Sequence, residues 1–181
     1  MLERLLHKRK ATVLKKWFDL VLDTYPDDSK RLFKQKKNQF GNPVGSTIFQ
    51  ELGNIFDEII NEIDKETISP FVERLIKIRA VQDFSPSGAL GFIFDLKQIV
   101  VKEFDDELKN QQVFREFVGF CTRVDELAML AFDTYMKCRE KIYEIRVNEV
   151  KNMTSRVLER SSWTYKISDE DPFWEPEKGT N

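Results

Sequence analysis

Histidine is nearly missing from this chain of 181 residues, since His7 is the only one. A serine nucleophile activated by histidine and a metal site built from two histidines both need that side chain, so neither is expected. His7 itself fits a surface position on the first predicted helix. The sequence therefore argues against an enzyme, and we expect no catalytic, metal-binding or cofactor-binding residues.

Cysteine and long apolar runs are also scarce. Cys121 and Cys138 fall on one predicted helix, about 25 Å apart by helical rise, which is too far for a disulfide. Unpaired thiols are typical of a reducing compartment. The longest uncharged apolar run, residues 88–94, is far shorter than the ~20 residues of a membrane helix. We expect a cytoplasmic protein without membrane insertion.

Glycine and proline are few, with 7 and 6 residues, so long helices are favoured. Apolar residues recur in steps of three and four, the helical period, and no segment alternates long enough to predict a strand. The fold class is therefore all-α, with about six helices in one domain over residues 1–160 and a tail over 161–181. The predicted helices cover residues 2–24, 27–40, 46–63, 70–83, 86–108 and 110–160.

The last predicted helix carries two apolar stripes. The first runs from Phe114 to Ile145 and can be covered by the core of its own chain. The second would extend past a compact domain, so it is a candidate dimer face for a second copy of the chain. Folding of the helix back on its own monomer is the alternative. The candidate dimer face consists of Tyr143, Val147, Val150, Thr154 and Val157.

The tail differs in character from the helices, because aromatic side chains alternate there with Asp and Glu. Acidic segments that carry aromatic residues often dock on a partner rather than fold alone. We expect these aromatic residues to serve partner docking and not the domain core. They are Trp163, Tyr165, Phe173 and Trp174.

Polar residues cluster just before the fifth predicted helix, whose free amides favour anions. Arg79, Gln82, Asp83 and Ser85 form this candidate ligand or signal contact. The alternative is a corner in which Ser85 caps the helix and Arg79 pairs with an acid.

Charge is unevenly distributed in the chain. The first 37 residues hold 11 Lys and Arg against 5 Asp and Glu, although the net charge of the chain is -2. Such a segment can meet nucleic acid or an anionic membrane. No nucleic-acid reading motif accompanies it, so we expect it to face acidic surface of its own fold or of a protein partner.

Four stretches of the sequence, at residues 24–26, 40–45, 78–87 and 131–142, are similar to the RsbRD N-terminal domain family. This family supplies the amino-terminal sensory domains of stressosome co-antagonist proteins. The resemblance implies a bacterial regulatory module with a globin-like helical fold, without haem, acting as paired sensory heads. In the co-antagonists a STAS domain that engages a kinase follows. Since no such domain follows the long helix here, we expect a stand-alone member.

Two functions remain open at this point. The first is a non-catalytic sensory or regulatory module that acts through contacts with a protein partner and forms a homodimer. The alternative is an accessory or adaptor subunit whose tail docks on a redox or membrane-associated complex. Haem is not expected in either, because the predicted helix over residues 70–83 contains no His, Cys or Tyr to bind its iron.

Overall fold

The computed structural model describes residues 1–34, 42–61, 63–82 and 84–160. These residues are 88% helical and contain no strand, which confirms the all-α prediction. One short 3-10 helix, Glu107–Lys109, precedes the last α-helix. The α-helices are α1 (Leu2–Lys8), α2 (Lys10–Asp23), α3 (Asp27–Lys34), α4 (Pro43–Ile60), α5 (Lys65–Ala80), α6 (Pro86–Leu90), α7 (Phe92–Glu103) and α8 (Gln111–Arg160).

The first predicted helix is divided at Arg9 and the fifth at Gly91, so the described residues hold eight α-helices where about six were expected. The backbone of Arg9 leaves the helical region at φ -107° and ψ 17°. Its side chain donates to the carbonyl of Glu103, and Nη2 lies 2.7 Å from Glu107 Oε1. The Arg9 guanidinium also lies 4.9 Å from the centre of the Phe104 ring. These contacts reach nearly 100 residues along the chain, so local sequence patterns do not reveal the break.

Two helices begin earlier than the sequence predicted. Helix α4 starts at Pro43, not at Ser46, because the Asn42 side chain caps it by accepting from Gly45 N at 3.0 Å. Helix α5 starts at Lys65, and the Asp64 side chain caps it by accepting from Glu66 N at 3.1 Å. Pro70, expected in the first turn, lies inside α5, where it removes one backbone donor.

The hydrophobic core is built around large aromatic side chains, as the 15 phenylalanines suggested. Trp17, Phe56, Phe92, Phe104 and Phe120 are completely or almost completely buried. The core side of α8 also bears out part of the first stripe. The buried members of the stripe are Phe117, Val124, Ala128, Ala131 and Tyr135, whereas its ends, Phe114 and Ile145, are exposed. Val113, Phe120 and Leu127, which the stripe did not include, are buried as well.

The chain divides into two compact units, Met1–Lys141 and Ile142–Asn181. The first contains α1 to α7 and the beginning of α8, and it holds the core. The second contains the end of α8, in which every residue from 143 to 157 is exposed. The sequence placed a boundary after residue 160; residues 161–181 lie outside the described residues, so that boundary stays a prediction. None of the described helices is long and apolar enough to cross a membrane.

Two glycines of α4 give opposite predictions for substitution by alanine. A Cβ atom on Gly45 would lie 2.6 Å from Asn42 Nδ2 and 2.7 Å from Phe33 O, so Gly45→Ala should destabilise the protein by about 1–3 kcal/mol. A Cβ atom on Gly53 would meet Leu14 Cδ1 at 3.9 Å, an ordinary contact. Gly53→Ala should therefore stabilise the protein by about 0.5–1 kcal/mol, the gain of alanine over glycine in a helix.

Urea unfolding of both variants measures these differences. A Gly45→Ala variant that is as stable as the wild type would contradict the assigned role of the Asn42 cap.

Candidate functional site

Arg79 occupies the last turn of α5, and its charged side chain is completely buried. A buried guanidinium normally has a carboxylate partner, because removing a charge from water is costly. No carboxylate of the described residues pairs with Arg79; its hydrogen bonds go to neutral oxygens. The acid partner expected for a simple corner is therefore not found among these residues.

The partners of Arg79 are two backbone carbonyls and one hydroxyl. Nε donates to Ala89 O at 2.6 Å, and Nη2 donates to Gly88 O at 2.8 Å. Nη2 also donates to Thr24 Oγ1 at 3.1 Å. Because Thr24 follows the last turn of α2, one side chain of α5 connects the ends of α2 and α6.

The two carbonyls lie where the predicted fifth helix is interrupted. Helix α6 ends at Leu90 and α7 begins at Phe92. In a continuous helix, the carbonyls of Gly88 and Ala89 would accept from the amides of residues 92 and 93. They accept from the guanidinium instead, and the amides of residues 94 and 95 turn to Gly91 O. Arg79 thus replaces the backbone donors that these carbonyls lose at the break.

Aromatic rings surround the Arg79 guanidinium. Its central carbon lies 4.6 Å from the ring centre of Phe84, 5.0 Å from that of Phe92 and 5.4 Å from that of Tyr25. Cation–π contacts of desolvated groups contribute up to about 2 kcal/mol each. The rings therefore offset part of the cost of burying the charge. Tyr25 also packs edge-on against Phe84 and Phe33.

Three buried polar atoms at this place have no hydrogen-bond partner in the structure. They are Arg79 Nη1, the Tyr25 hydroxyl and Gln82 Oε1. Burial raises the pKa of Tyr25, while the positive charge of Arg79 and the nearby Gln82 act to lower this pKa. Both side chains are therefore close to the phenol. Burial also lowers the pKa of Arg79, which stays charged nonetheless.

The structure separates the four residues proposed from sequence. Arg79 and Gln82 belong to the buried group, but Ser85 is exposed and caps α6 by accepting from Gly88 N at 3.1 Å. The expected capping role of Ser85 is confirmed; its role as a ligand contact stays a prediction. Asp83 lies outside the described residues. Sequence reasoning missed four further residues of this site, which are Thr24, Tyr25, Phe84 and Phe92. Together with Arg79 and Gln82 they form what we name the Arg79 cluster.

The stretches that resemble the family point to the same place. Tyr135 in α8 donates to Phe84 O at 3.2 Å, and Arg139 donates to Ala80 O at 3.1 Å. Thr24 and Tyr25 come from the first stretch, and Arg79 and Phe84 from the third. Three of the four stretches therefore meet at the Arg79 cluster. Membership in these stretches was the sequence signal that could have identified Tyr25 and Phe84 in advance.

The family described as the RsbT co-antagonist protein rsbRD N-terminal domain matches residues 11–150. The chain belongs to this family. It therefore carries a regulatory sensory domain of the stressosome type.

The chain is also similar to an uncharacterized protein of Archaeoglobus fulgidus. The two are 23% identical over 166 residues, which cover 88% of this chain and 99% of the relative. No solved structure matches the chain. The globin-like arrangement that the RsbRD resemblance implies therefore stays a prediction.

The residues expected to contact partners differ in what the structure describes. Tyr143, Val147, Val150 and Val157 are 52–66% exposed. Thr154 is exposed as well, and its hydroxyl donates to Val150 O at 2.9 Å. The candidate dimer face is thus open to solvent in this single chain. The four aromatic residues of the tail, at positions 163, 165, 173 and 174, lie outside the described residues, so their docking role stays a prediction.

Reactive side chains are few in the described part of the chain. His7 is half-exposed on α1, 4.0 Å from Glu3. Cys121 and Cys138 are unpaired and partly buried. Burial raises the pKa of both thiols, which disfavours the reactive thiolate. Within the described ranges, His, Cys, Asp and Glu form no group of three that could hold a metal ion.

The centre of the helical core is filled by side chains. A cavity of about 10 Å³ remains there, the size of about one water molecule. Its walls come from α2, α4, α5, α7 and α8, and they are apolar. The residues that line it are Trp17, Ile55, Val72, Leu75, Ile76, Phe92, Ile93, Leu127 and Ala131.

We expect the purified protein to take up no haem, because this core leaves no room for a porphyrin. Titration with hemin, followed by absorption spectroscopy, should give no Soret band beyond that of free hemin. Tight binding of one haem per chain would contradict this expectation.

Arg79→Met should destabilise the protein, since it leaves Ala89 O buried without a donor. An unsatisfied buried acceptor costs about 1–3 kcal/mol, and relief from burying the charge offsets only part of the loss of three bonds. Lys77→Met is the matched control on the same helix: Lys77 pairs with Glu73 at the surface, and such pairs contribute at most about 1 kcal/mol. Equilibrium unfolding compares the two variants. If Arg79→Met is as stable as the control, the guanidinium does not stabilise the helix break.

Proposed function

We propose that this chain is a non-catalytic, cytoplasmic sensory module that acts as a homodimer through contacts of α8. Membership of the RsbRD N-terminal domain family supports the regulatory role. Two unpaired cysteines fit a reducing compartment. The observation that carries the proposal is the apolar surface of α8, which the single chain leaves in water.

In the second unit, the exposed apolar side chains of α8 repeat along one side of the helix. Tyr143, Val147, Val150 and Val157 follow one another at steps of four, three and seven residues, which return to the same helical face. Most of the stability of helices in proteins comes from packing of an apolar face. The spacing therefore favours a partner that covers this face.

In the first unit, α8 carries a second exposed set outside its core side. Phe114, Val118, Met129, Phe132 and Met136 are 38–65% exposed. Their spacing of 4, 11, 3 and 4 residues again returns to one helical face. Five large apolar side chains on one face of a monomer mark an interaction surface better than scattered single residues do.

A second copy of the chain suits this surface. Charges of both signs flank the apolar face of the second unit, with Glu144 on one side and Arg146 on the other. A twofold partner can therefore set opposite charges against each other. Closed twofold pairing is also the commonest way for a protein to cover such a face. The accessory-subunit alternative depends on the tail, outside the described residues.

Replacing Val147 and Val150 together by Asp should convert the dimer to a monomer, because both valines lie at the centre of the face and are exposed in the single chain. The matched control replaces Asn148 and Asn152 by Asp, which adds the same charge on the opposite side of the helix. Sedimentation velocity gives the oligomeric state, and circular dichroism checks the fold.

The control should stay dimeric, while the valine variant sediments as a folded monomer. A wild-type protein that is monomeric at tens of micromolar would end the proposal.

A further inference from the structure

The Arg79 cluster has hydrogen-bonding capacity that the protein does not use. A guanidinium carries five N–H groups. Three of them reach Ala89 O, Gly88 O and Thr24 Oγ1. The two on Nη1 have no acceptor, although the atom is buried. The Tyr25 hydroxyl and Gln82 Oε1, also buried, add one unused donor and one unused acceptor close by.

The cluster also has an uncompensated charge. The three aromatic rings and two carbonyls stabilise the Arg79 cation, but they carry no negative charge. Buried charges in proteins are paired with an opposite charge or coordinate one. Among the described residues no Asp or Glu supplies this opposite charge.

We propose that the Arg79 cluster binds a small oxyanion of the carboxylate or hydrogen carbonate type, held by Arg79, Tyr25 and Gln82. The proposal deepens the sensory function above and rests on it only for the consequence of binding. Binding itself is tested separately from dimerisation.

The unused atoms match this chemistry. Anionic oxygens accept from Arg79 Nη1 and from the Tyr25 hydroxyl, and bonds to a charged group are stronger than neutral ones. The hydroxyl of hydrogen carbonate donates to Gln82 Oε1, which chloride cannot do. Arg79, Tyr25 and Gln82 pack against one another, so only an anion of a few atoms can bind between them. A water molecule satisfies the same donors and acceptor but leaves the charge unpaired.

Access to the site lies at the end of α5. Gln82 and Phe84 are partly buried, and Thr24 is exposed. Ser85, close by in the chain, is exposed. Binding of an anion at Nη1 therefore requires the Gln82 side chain to move aside.

Occupation of the site has a direct structural consequence within the first unit. The bound anion fixes the guanidinium that holds the carbonyls of Gly88 and Ala89 at the α6–α7 break. Phe84, which packs on that guanidinium, accepts from Tyr135 of α8 at 3.2 Å, and Ala80 accepts from Arg139 at 3.1 Å. The anion is therefore linked to the helix on which the proposed dimer forms.

The test compares thermal unfolding in sodium hydrogen carbonate, sodium formate and sodium chloride at equal ionic strength and pH. Wild-type protein should gain a saturable rise in Tm with hydrogen carbonate, a smaller one with formate, and none with chloride. Line broadening of carbon-13 hydrogen carbonate in NMR spectra reports binding directly.

Tyr25→Phe is the decisive variant, with Thr47→Val as its control, since this variant removes a hydroxyl from α4 that donates to Pro43 O outside the cluster. Because the Tyr25 hydroxyl has no partner in the protein, the variant should fold and match the wild type in chloride. Its affinity for hydrogen carbonate should fall at least about tenfold, the effect of losing one bond to a charged group. The control should bind like the wild type.

Three results would overturn the proposal: no rise in Tm with either oxyanion, an equal rise with chloride, or unchanged binding by Tyr25→Phe. The first means that no oxyanion binds, the second that the effect is not selective for oxyanions, and the third that the anion is not held by Tyr25. Sedimentation of the same samples separates this from the proposed function, since a dimer without anion binding refutes only the present inference. Binding by a monomer refutes only the dimer.

Discussion

A single guanidinium supplies the donors that two carbonyls lose where the helix is interrupted between Leu90 and Phe92. Burying that cation is unfavourable, and hydrogen bonds together with aromatic faces offset the cost. The same side chain reaches Thr24 after α2, so the ends of α2 and α6 depend on one residue of α5. The geometry of this corner follows from Arg79 more than from any local preference of the helices it joins.

The corner and α8 are physically connected in the first unit. Tyr135 and Arg139 donate to backbone carbonyls on either side of the turn that follows α5. Tyr135 is buried in the core, whereas Phe132 and Met136, next to it in the helix, are exposed. Helix α8 therefore presents one side to the Arg79 cluster and another side to solvent. A regulatory domain needs such an element, which meets a candidate ligand site and a candidate partner surface at once.

Much of the fold was predictable because it depends on local chemistry. Few breakers and a helical apolar period predicted an all-α protein, and the serine before Pro86 predicted the start of α6, where Ser85 does cap the helix. Both helix breaks were missed. Arg9 is held by Glu107 and Arg79 by a carbonyl ten residues away, and no periodicity records which carbonyl a guanidinium will reach. The start of α4 was missed for a related reason, because Asn42 caps it while donating to Phe33 O.

The site was predictable only in part. A lone arginine at a helix end suggested either an ion pair or a ligand, and the structure gives Arg79 neutral partners and one unused nitrogen. Tyr25 is far from Arg79 in the sequence. Only the membership of both residues in stretches that resemble the family could connect the two positions. The candidate dimer face was predicted from sequence in the second unit, where residues 143–157 of α8 are exposed. The exposed apolar set of the first unit was not predicted, because buried and exposed apolar residues of α8 both recur there in steps of three and four.

Hydrogen exchange of Arg79→Lys tests most directly whether the guanidinium holds the helix break. Lysine keeps the charge but lacks the planar fork that reaches both carbonyls. Exchange should accelerate in residues 86–95, which contain α6 and the start of α7, and stay unchanged in α4 (Pro43–Ile60). Unchanged protection of residues 86–95, or an equal loss of protection in α4, would contradict the central role of Arg79.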